Sequence, residues 1–307
     1  MSDLIIIPVS LVLLYIGGEG TLRGVLAIAK KFKLSNILVS AVIIGFGTSL
    51  AELTVSIEAV ITGSPDIAIG NIVGSNTANI LLVAALAALI NPITLTKIKI
   101  NRDIFVLILA SAVLLLFKFI NWLNLYSGLI FIGILLCYVF YSYFDDQKKE
   151  EIIENSSDQT ISILKASTYS ILGILILIFG GWLLVNSAIR VAQSYAISEA
   201  VIGLTIVAVG TAIPELTTTI ISSIKKNNEL VIGNILGSNI FNILGILGIT
   251  LLIENIPVTD EMMKKGIWEM IAATIFFIII LKFAKSLSRI LALFMLTLYS
   301  VYVFYLF

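Results

Sequence analysis

The chain repeats itself at a fixed separation of 163 residues, without a gap. Gly45 to Leu81 reads GFGTSLAELTVSIEAV, a short polar turn, then IAIGNIVGSNTANIL. Ala208 to Leu244 reads AVGTAIPELTTTIISSI, a second turn, then VIGNILGSNIFNIL. Thr48 falls on Thr211, Glu52 on Glu215, Asn71 on Asn234, Ser75 on Ser238 and Asn79 on Asn242, and the echo reaches back to Gly17-Gly18 and Gly180-Gly181. A repeated unit fixes the architecture before any single motif does. Here the unit is a long apolar half-chain carrying one acid in its middle.

Of the 307 residues 59% are apolar and 12% charged, where a soluble domain has about 25% charged. The apolar residues come in runs long enough to span a bilayer, so the expected class is an all-α polytopic membrane protein. Ten spans are predicted, near 3–28, 36–61, 67–91, 103–121, 125–144, 162–194, 200–224, 230–253, 267–283 and 287–307. The stretch DDQKKEEIIENSSDQ at 145–159 lies between the repeats and reads as a solvated linker. The domains expected are therefore 1–144, a hydrophilic linker at 145–161, and 162–307. No charged leader with a small-residue cleavage site opens the chain, so no removable signal peptide is expected.

Fifteen of the 19 Lys and Arg residues fall in alternate predicted loops, the linker among them. By the positive-inside rule those loops and the linker face the cytoplasm, and both termini lie outside. Each half has an odd number of spans, so the second must enter the membrane upside down relative to the first. Two inverted five-helix repeats are the plan of many secondary transporters.

Residues four apart on a helix share a face. Thr48 and Glu52, Ser75 and Asn79, Thr211 and Glu215, and Ser238 and Asn242 are such pairs, with Ser49 beside Thr48. Each pair places a hydroxyl and a carboxylate or amide on one stripe, and four stripes from predicted spans 2, 3, 7 and 8 can converge on an oxygen-lined centre. Oxygen suits hard cations such as Ca²⁺ and Na⁺. The chain has no histidine and one cysteine, Cys137, which leaves out imidazole, thiolate clusters and an intrachain disulfide. An acid at mid-membrane costs roughly 2.5 kcal/mol or more, so two at related positions read as functional rather than as structural hydrogen-bond partners. Glu19 and Glu58 fall on Trp182 and Ile221 in the repeat and read as interfacial acids.

Gly45, Gly47 and Gly210 precede the threonines, and Pro214 removes a backbone donor beside Glu215. These residues permit unwinding, which a membrane tolerates where carbonyls face a cavity or an ion. The carbonyls near Gly45 and Ala208 are thus candidate ligands. Gly70 and Gly74 read equally well as a close-packing GxxxG pair.

The paired motifs resemble the α-repeats of the cation/calcium exchangers, and within them the prokaryotic sodium/calcium exchangers, whose pattern is GTSxPE followed by GNxxGSNxxN. The resemblance implies that Thr48, Ser49, Glu52, Ser75, Asn79, Thr211, Glu215, Ser238 and Asn242 line the ion sites, and that Ca²⁺ and Na⁺ are the transported ions. It implies no cofactor and no enzymatic activity. The partners expected are those ions and the lipid bilayer, in the cell membrane of a prokaryote, with no nucleic acid and no obligatory protein partner. Three residues depart from the pattern. Ala51 replaces proline, so span 2 is expected to be less kinked than span 7. Ala212 replaces the serine matching Ser49. Asn242 stands where potassium-dependent relatives carry aspartate, which argues against potassium co-transport. Two other readings stand beside exchange for sodium. One couples calcium to protons, since two close carboxylates favour protonation of one of them. The other is a cation channel with acidic selectivity. No P-loop motif suggests ATP as the drive.

Overall fold

The computed structural model describes residues 3–31, 45–96, 98, 100–147 and 162–307. Helices dominate it: α1 (Asp3–Lys31), α2 (Gly45–Thr48), α3 (Leu50–Ile61), α4 (Pro65–Ile90), α5 (Asn101–Phe119), α6 (Leu125–Gln147), α7 (Ile163–Tyr195), α8 (Glu199–Thr211), α9 (Ile213–Ile224), α10 (Asn228–Ile253), α11 (Trp268–Phe283) and α12 (Arg289–Leu306). A π-helical turn, Met263–Ile267, leads into α11. Apart from the described start of span 2 and the helical turns over Asp260–Ile267 that precede α11, every outer helix end lies within three residues of the predicted span. The first residues of predicted span 2, 36–44, lie outside the described residues, as does most of the linker. Residues 145–147 belong to α6 rather than to the linker.

Among the described residues six helical stretches are long and apolar enough to cross a membrane: Pro65–Ile90, Leu125–Ser142, Ile163–Tyr195, Asn228–Ile253, Lys264–Phe283 and Arg289–Leu306. Helices α8 and α9 meet at 44° and make a seventh if taken as one broken span. The remaining predicted spans are α1, apolar over Ile5–Thr21, the partly described α2–α3, and α5, which carries Arg102, Asp103 and Lys118.

Burial sorts the helices into layers. The most apolar windows of α4 and α10 are 83% and 89% buried, against 33% for α6 and 28% for α12. The second half of each repeated motif therefore sits on a central helix, while α6, α7 and α12 turn residues such as Phe140, Ile171, Leu175 and Phe304 outward. This is the arrangement of a protein solvated by lipid, in which an apolar exterior carries no penalty.

Small residues set the close approaches. A β-carbon at Gly173 of α7 would lie 2.5 Å from Thr21 N of α1 and 2.7 Å from Gly17 O. One at Gly74 of α4 would lie 2.6 Å from Leu204 O and Ala208 Cβ of α8. Close packing thus accounts for Gly74 by itself.

At one end of the bundle two short strands join the halves. β1 (Ile93–Thr94) pairs antiparallel with β2 (Ser286–Leu287), and Leu95 N donates to Lys285 O (3.0 Å). Arg289 reaches the last carbonyls of α4, with Nε donating to Leu89 O (2.9 Å) and Nη2 to Ile90 O (3.3 Å). Such a cation complements a helix C-terminus. The repeat mates of the strands, 256–257 and 123–124, form no strand. Asn124 N donates to Ser127 Oγ (2.8 Å), and Asn124 Oδ1 accepts from Tyr126 N (3.0 Å), so Asn124 caps α6 instead. A cleft of about 650 Å³ lies there, lined by Lys118, Asn121, Asn124, Glu254 and Pro257 among others.

Candidate cation site

Each half interrupts its helix just before the acid. Ser49 (φ −80°, ψ 13°) separates α2 from α3, and Ala212 (φ −75°, ψ 4°) separates α8 from α9. The interruption occurs in the first half without a proline, at Ser49 before Leu50-Ala51. Glu52 and Glu215 then lie in the first turns of α3 and α9, where the helix dipole favours negative charge.

An asparagine holds each of these turns. Asn71 Nδ2 donates to Glu52 O (3.1 Å) and Ser56 Oγ (2.9 Å). Asn234 Nδ2 donates to Glu215 O (3.5 Å) and Thr219 Oγ1 (2.9 Å). Ser56 and Thr219 escaped the sequence reading, although both are hydroxyls four residues after the acid and 163 residues apart.

The halves then meet in mirrored contacts. Thr48 Oγ1 lies 3.4 Å from Ser238 Oγ, and Ser75 Oγ lies 3.5 Å from Thr211 Oγ1. Thr211 Oγ1 donates to Asn71 Oδ1 (2.9 Å), and Ser75 Oγ to Ala208 O (3.3 Å). Asn79 Nδ2 donates to Asn239 Oδ1 and Asn242 Nδ2 to Asn76 Oδ1, each at 3.1 Å. Asn79 and Asn242 also open π-helical turns, Asn79–Val83 in α4 and Asn242–Ile246 in α10. Such turns recur at functional sites. Asn76 and Asn239 belong to the repeated motif but were not read as site residues.

The symmetry fails at the acids themselves. Ser49 Oγ donates to Glu215 Oε1 (2.7 Å), and Ser238 Oγ lies 3.5 Å from the same oxygen. Ala212 has no hydroxyl to return the contact, and both carboxylate oxygens of Glu52 are buried without a hydrogen-bond partner among the described residues. So are Glu215 Oε2, Asn79 Oδ1 and Asn242 Oδ1. Glu52 is 0% and Glu215 1% exposed. Neither pairs with a Lys or Arg among the described residues, whereas Glu19 pairs with Arg23. A buried charge without a partner is expensive. A set of orphaned oxygens with no opposing cationic side chain fits a hard cation arriving as cargo.

Nine of the residues singled out from the sequence are thereby brought to the contact of the two halves: Thr48, Ser49, Glu52, Ser75, Asn79, Thr211, Glu215, Ser238 and Asn242. Ala208 contributes its carbonyl, which already accepts from Ser75 and from Thr211 Oγ1 (3.3 Å). Gly45 opens α2 and takes no part in these side-chain hydrogen bonds among the described residues. No cluster of three or more His, Cys, Asp or Glu is present among the described residues. A cation here would draw on two carboxylates plus amide, hydroxyl and backbone oxygen.

An integral membrane bundle with paired acids at the contact of two repeats defines a cation transporter. The family described as sodium/calcium exchanger protein matches the chain twice, over residues 2–144 and 165–307. The chain belongs to the sodium/calcium exchanger family. It is 34% identical to the putative antiporter CaxA of Alkalimonas amylolytica, over 88% of this chain and 87% of that one. It is 26% identical to the sodium/calcium exchanger MaX1 of Methanosarcina acetivorans, over 94% and 93%. Among solved structures it resembles the sodium-calcium exchanger NCX_Mj soaked with 2.5 mM Na⁺ and 0.1 mM Ca²⁺, with a TM-score of 0.67, 27% identity and 98% of each chain covered.

Proposed function

We propose that the chain is a secondary active antiporter that exchanges Ca²⁺ for Na⁺ by alternating access across a prokaryotic cell membrane. In this reading ten spans form two inverted five-helix repeats, 1–144 and 162–307. The linker at 145–161 is cytoplasmic and both termini lie outside. The two separate family matches, offset by the repeat length, support that division. The observation that carries the function is the set of orphaned buried oxygens on Glu52, Glu215, Asn79 and Asn242.

The charge balance suits the exchange. Glu52 and Glu215 together supply two negative charges, which one Ca²⁺ neutralises. Thr48, Ser49, Ser75, Thr211 and Ser238, with the carbonyls near Gly45 and Ala208, complete the oxygen shell. The same carboxylates neutralise Na⁺ ions, so calcium and sodium compete for one centre. That competition is what couples their opposed movement. The helix breaks at Ser49 and Ala212 leave irregular backbone at the depth where a carrier binds its ion.

The test is uptake of radiolabelled calcium into proteoliposomes loaded with sodium, with choline- and potassium-loaded vesicles as controls. Uptake driven by sodium alone is expected. Equal uptake in all three would overturn sodium coupling. A second reading, calcium–proton exchange, draws on the lack of any hydroxyl donor to Glu52 opposite Ala212, since such a carboxyl is free to carry a proton. Uptake that follows an imposed pH gradient and ignores sodium would select it.

A further inference from the structure

Asn76, Asn79, Asn239 and Asn242 are each at most 1% exposed, and their amides are bonded in one sense. Asn79 Nδ2 donates to Asn239 Oδ1, Asn239 Nδ2 to Asn76 O (3.4 Å), and Asn242 Nδ2 to Asn76 Oδ1. A fully two-fold arrangement would close with Asn76 Nδ2 donating to the backbone carbonyl of Asn239. Instead Asn76 Nδ2 donates to Met270 Sδ, 3.6 Å away on α11. The repeat mate of Met270 is Leu107 on α5. It is equally buried and has no acceptor.

A primary amide presents oxygen or nitrogen in nearly the same shape, so a bonded amide pair has two orientations, related by flipping both. In the one observed, Asn242 Nδ2 faces Asn76 and Asn242 Oδ1 is left without a partner. In the other, Asn76 Nδ2 donates to Asn242 Oδ1, and nitrogen replaces oxygen where Asn242 faces the site. Asn76 Oδ1 then lies against the Met270 sulfur, acceptor against acceptor. On the Asn79 side a backbone carbonyl settles the orientation. On the Asn242 side a thioether settles it, a weak but directional acceptor.

We infer that Met270 is a positioning residue for the cation site. By accepting from Asn76 it locks the Asn76–Asn242 pair in the orientation that offers Asn242 Oδ1, rather than its NH₂, to a bound cation. Met270 touches no ion and acts through Asn76. This rests on the cation-site reading above.

The experiment measures equilibrium binding of radiolabelled calcium to purified protein, and sodium-driven flux in vesicles, for the parent, Met270→Leu and Met270→Gln. Leucine keeps the volume and removes the acceptor; glutamine restores an acceptor. Met270→Leu is expected to weaken calcium binding by about five-fold, with maximal flux within about two-fold. Met270→Gln is expected to return affinity to the parent value. Identical affinity in parent and Met270→Leu would overturn the inference, as would equal weakening in both variants, which would mark a packing effect. A binding difference of the expected pattern in a parent that shows no sodium-driven flux would sustain the inference and overturn sodium exchange alone. A parent that binds no calcium would overturn both.

Discussion

At the scale of single residues, the centre is defined by what the buried acids lack. Glu52 has no hydrogen-bond partner among the described residues for either carboxylate oxygen, and Glu215 is bonded only through Oε1, to Ser49 and Ser238. Glu52→Gln and Glu215→Gln are each expected to abolish calcium exchange while leaving expression and the folded state intact. The check is flux alongside a size-exclusion profile, and robust exchange in either variant would remove that acid from the site. Asn242→Asp adds a third negative charge to the same stripe. An uncompensated charge there is costly, so the variant should either take up a proton or recruit a further monovalent cation. Its calcium flux is expected to become dependent on potassium or more steeply dependent on pH than the parent's. Superimposable parent and variant curves in both a potassium and a pH series would place Asn242 outside the site.

At the scale of elements, the helix break proves to be a property of the repeat and not of proline. Ser49 and Ala212 share one backbone conformation, although only α9 has proline at its second position. Proline fits an early helical position, where the backbone N–H lacks an intrahelical acceptor. Ala51→Pro is therefore expected to change stability by no more than about 1 kcal/mol and to keep exchange activity. Thermal unfolding with and without calcium measures this. A large loss of stability would show that α3 starts differently from α9. The sequence carried most of this level. Helix ends followed from apolar runs, and the buried polar residues that meet between the halves followed from acids and hydroxyls recurring at a fixed offset. The seat of the break did not follow, because the glycines and Pro214 were read as its cause, whereas backbone at Ser49 and Ala212 carries it. Met270 was illegible for a different reason. A thioether in an apolar run looks like core, and only its contact with Asn76 across 194 positions gives it a second role.

At the scale of the whole molecule, two close-packed layers matter: the buried pair α4 and α10, and the pair α1 and α7 that packs through Gly17 and Gly173. Gly173→Leu drives a side chain into the backbone of α1. It is expected to cost about 1–3 kcal/mol and lower the unfolding temperature, while Gly133→Ala, which has open space around it, is expected to have no effect. The proposed orientation is open to labelling: a cysteine in the 145–161 linker, in a Cys137→Ser background, should react with an impermeant thiol reagent only from the cytoplasmic side. Labelling from outside would invert the topology. The strands β1 and β2 join the halves at one face, while their repeat mates leave a cleft at the other. If the two repeats are inverted, exchanging their roles carries a carrier open to one side into a carrier open to the other. A molecule with perfect internal symmetry would then wait with equal frequency at either face. The one-sided strand pair breaks that equality. Each difference of about 1.4 kcal/mol between two resting forms weights their populations ten to one, so an empty carrier of the kind proposed is expected to keep a preferred side from which it meets its next ion.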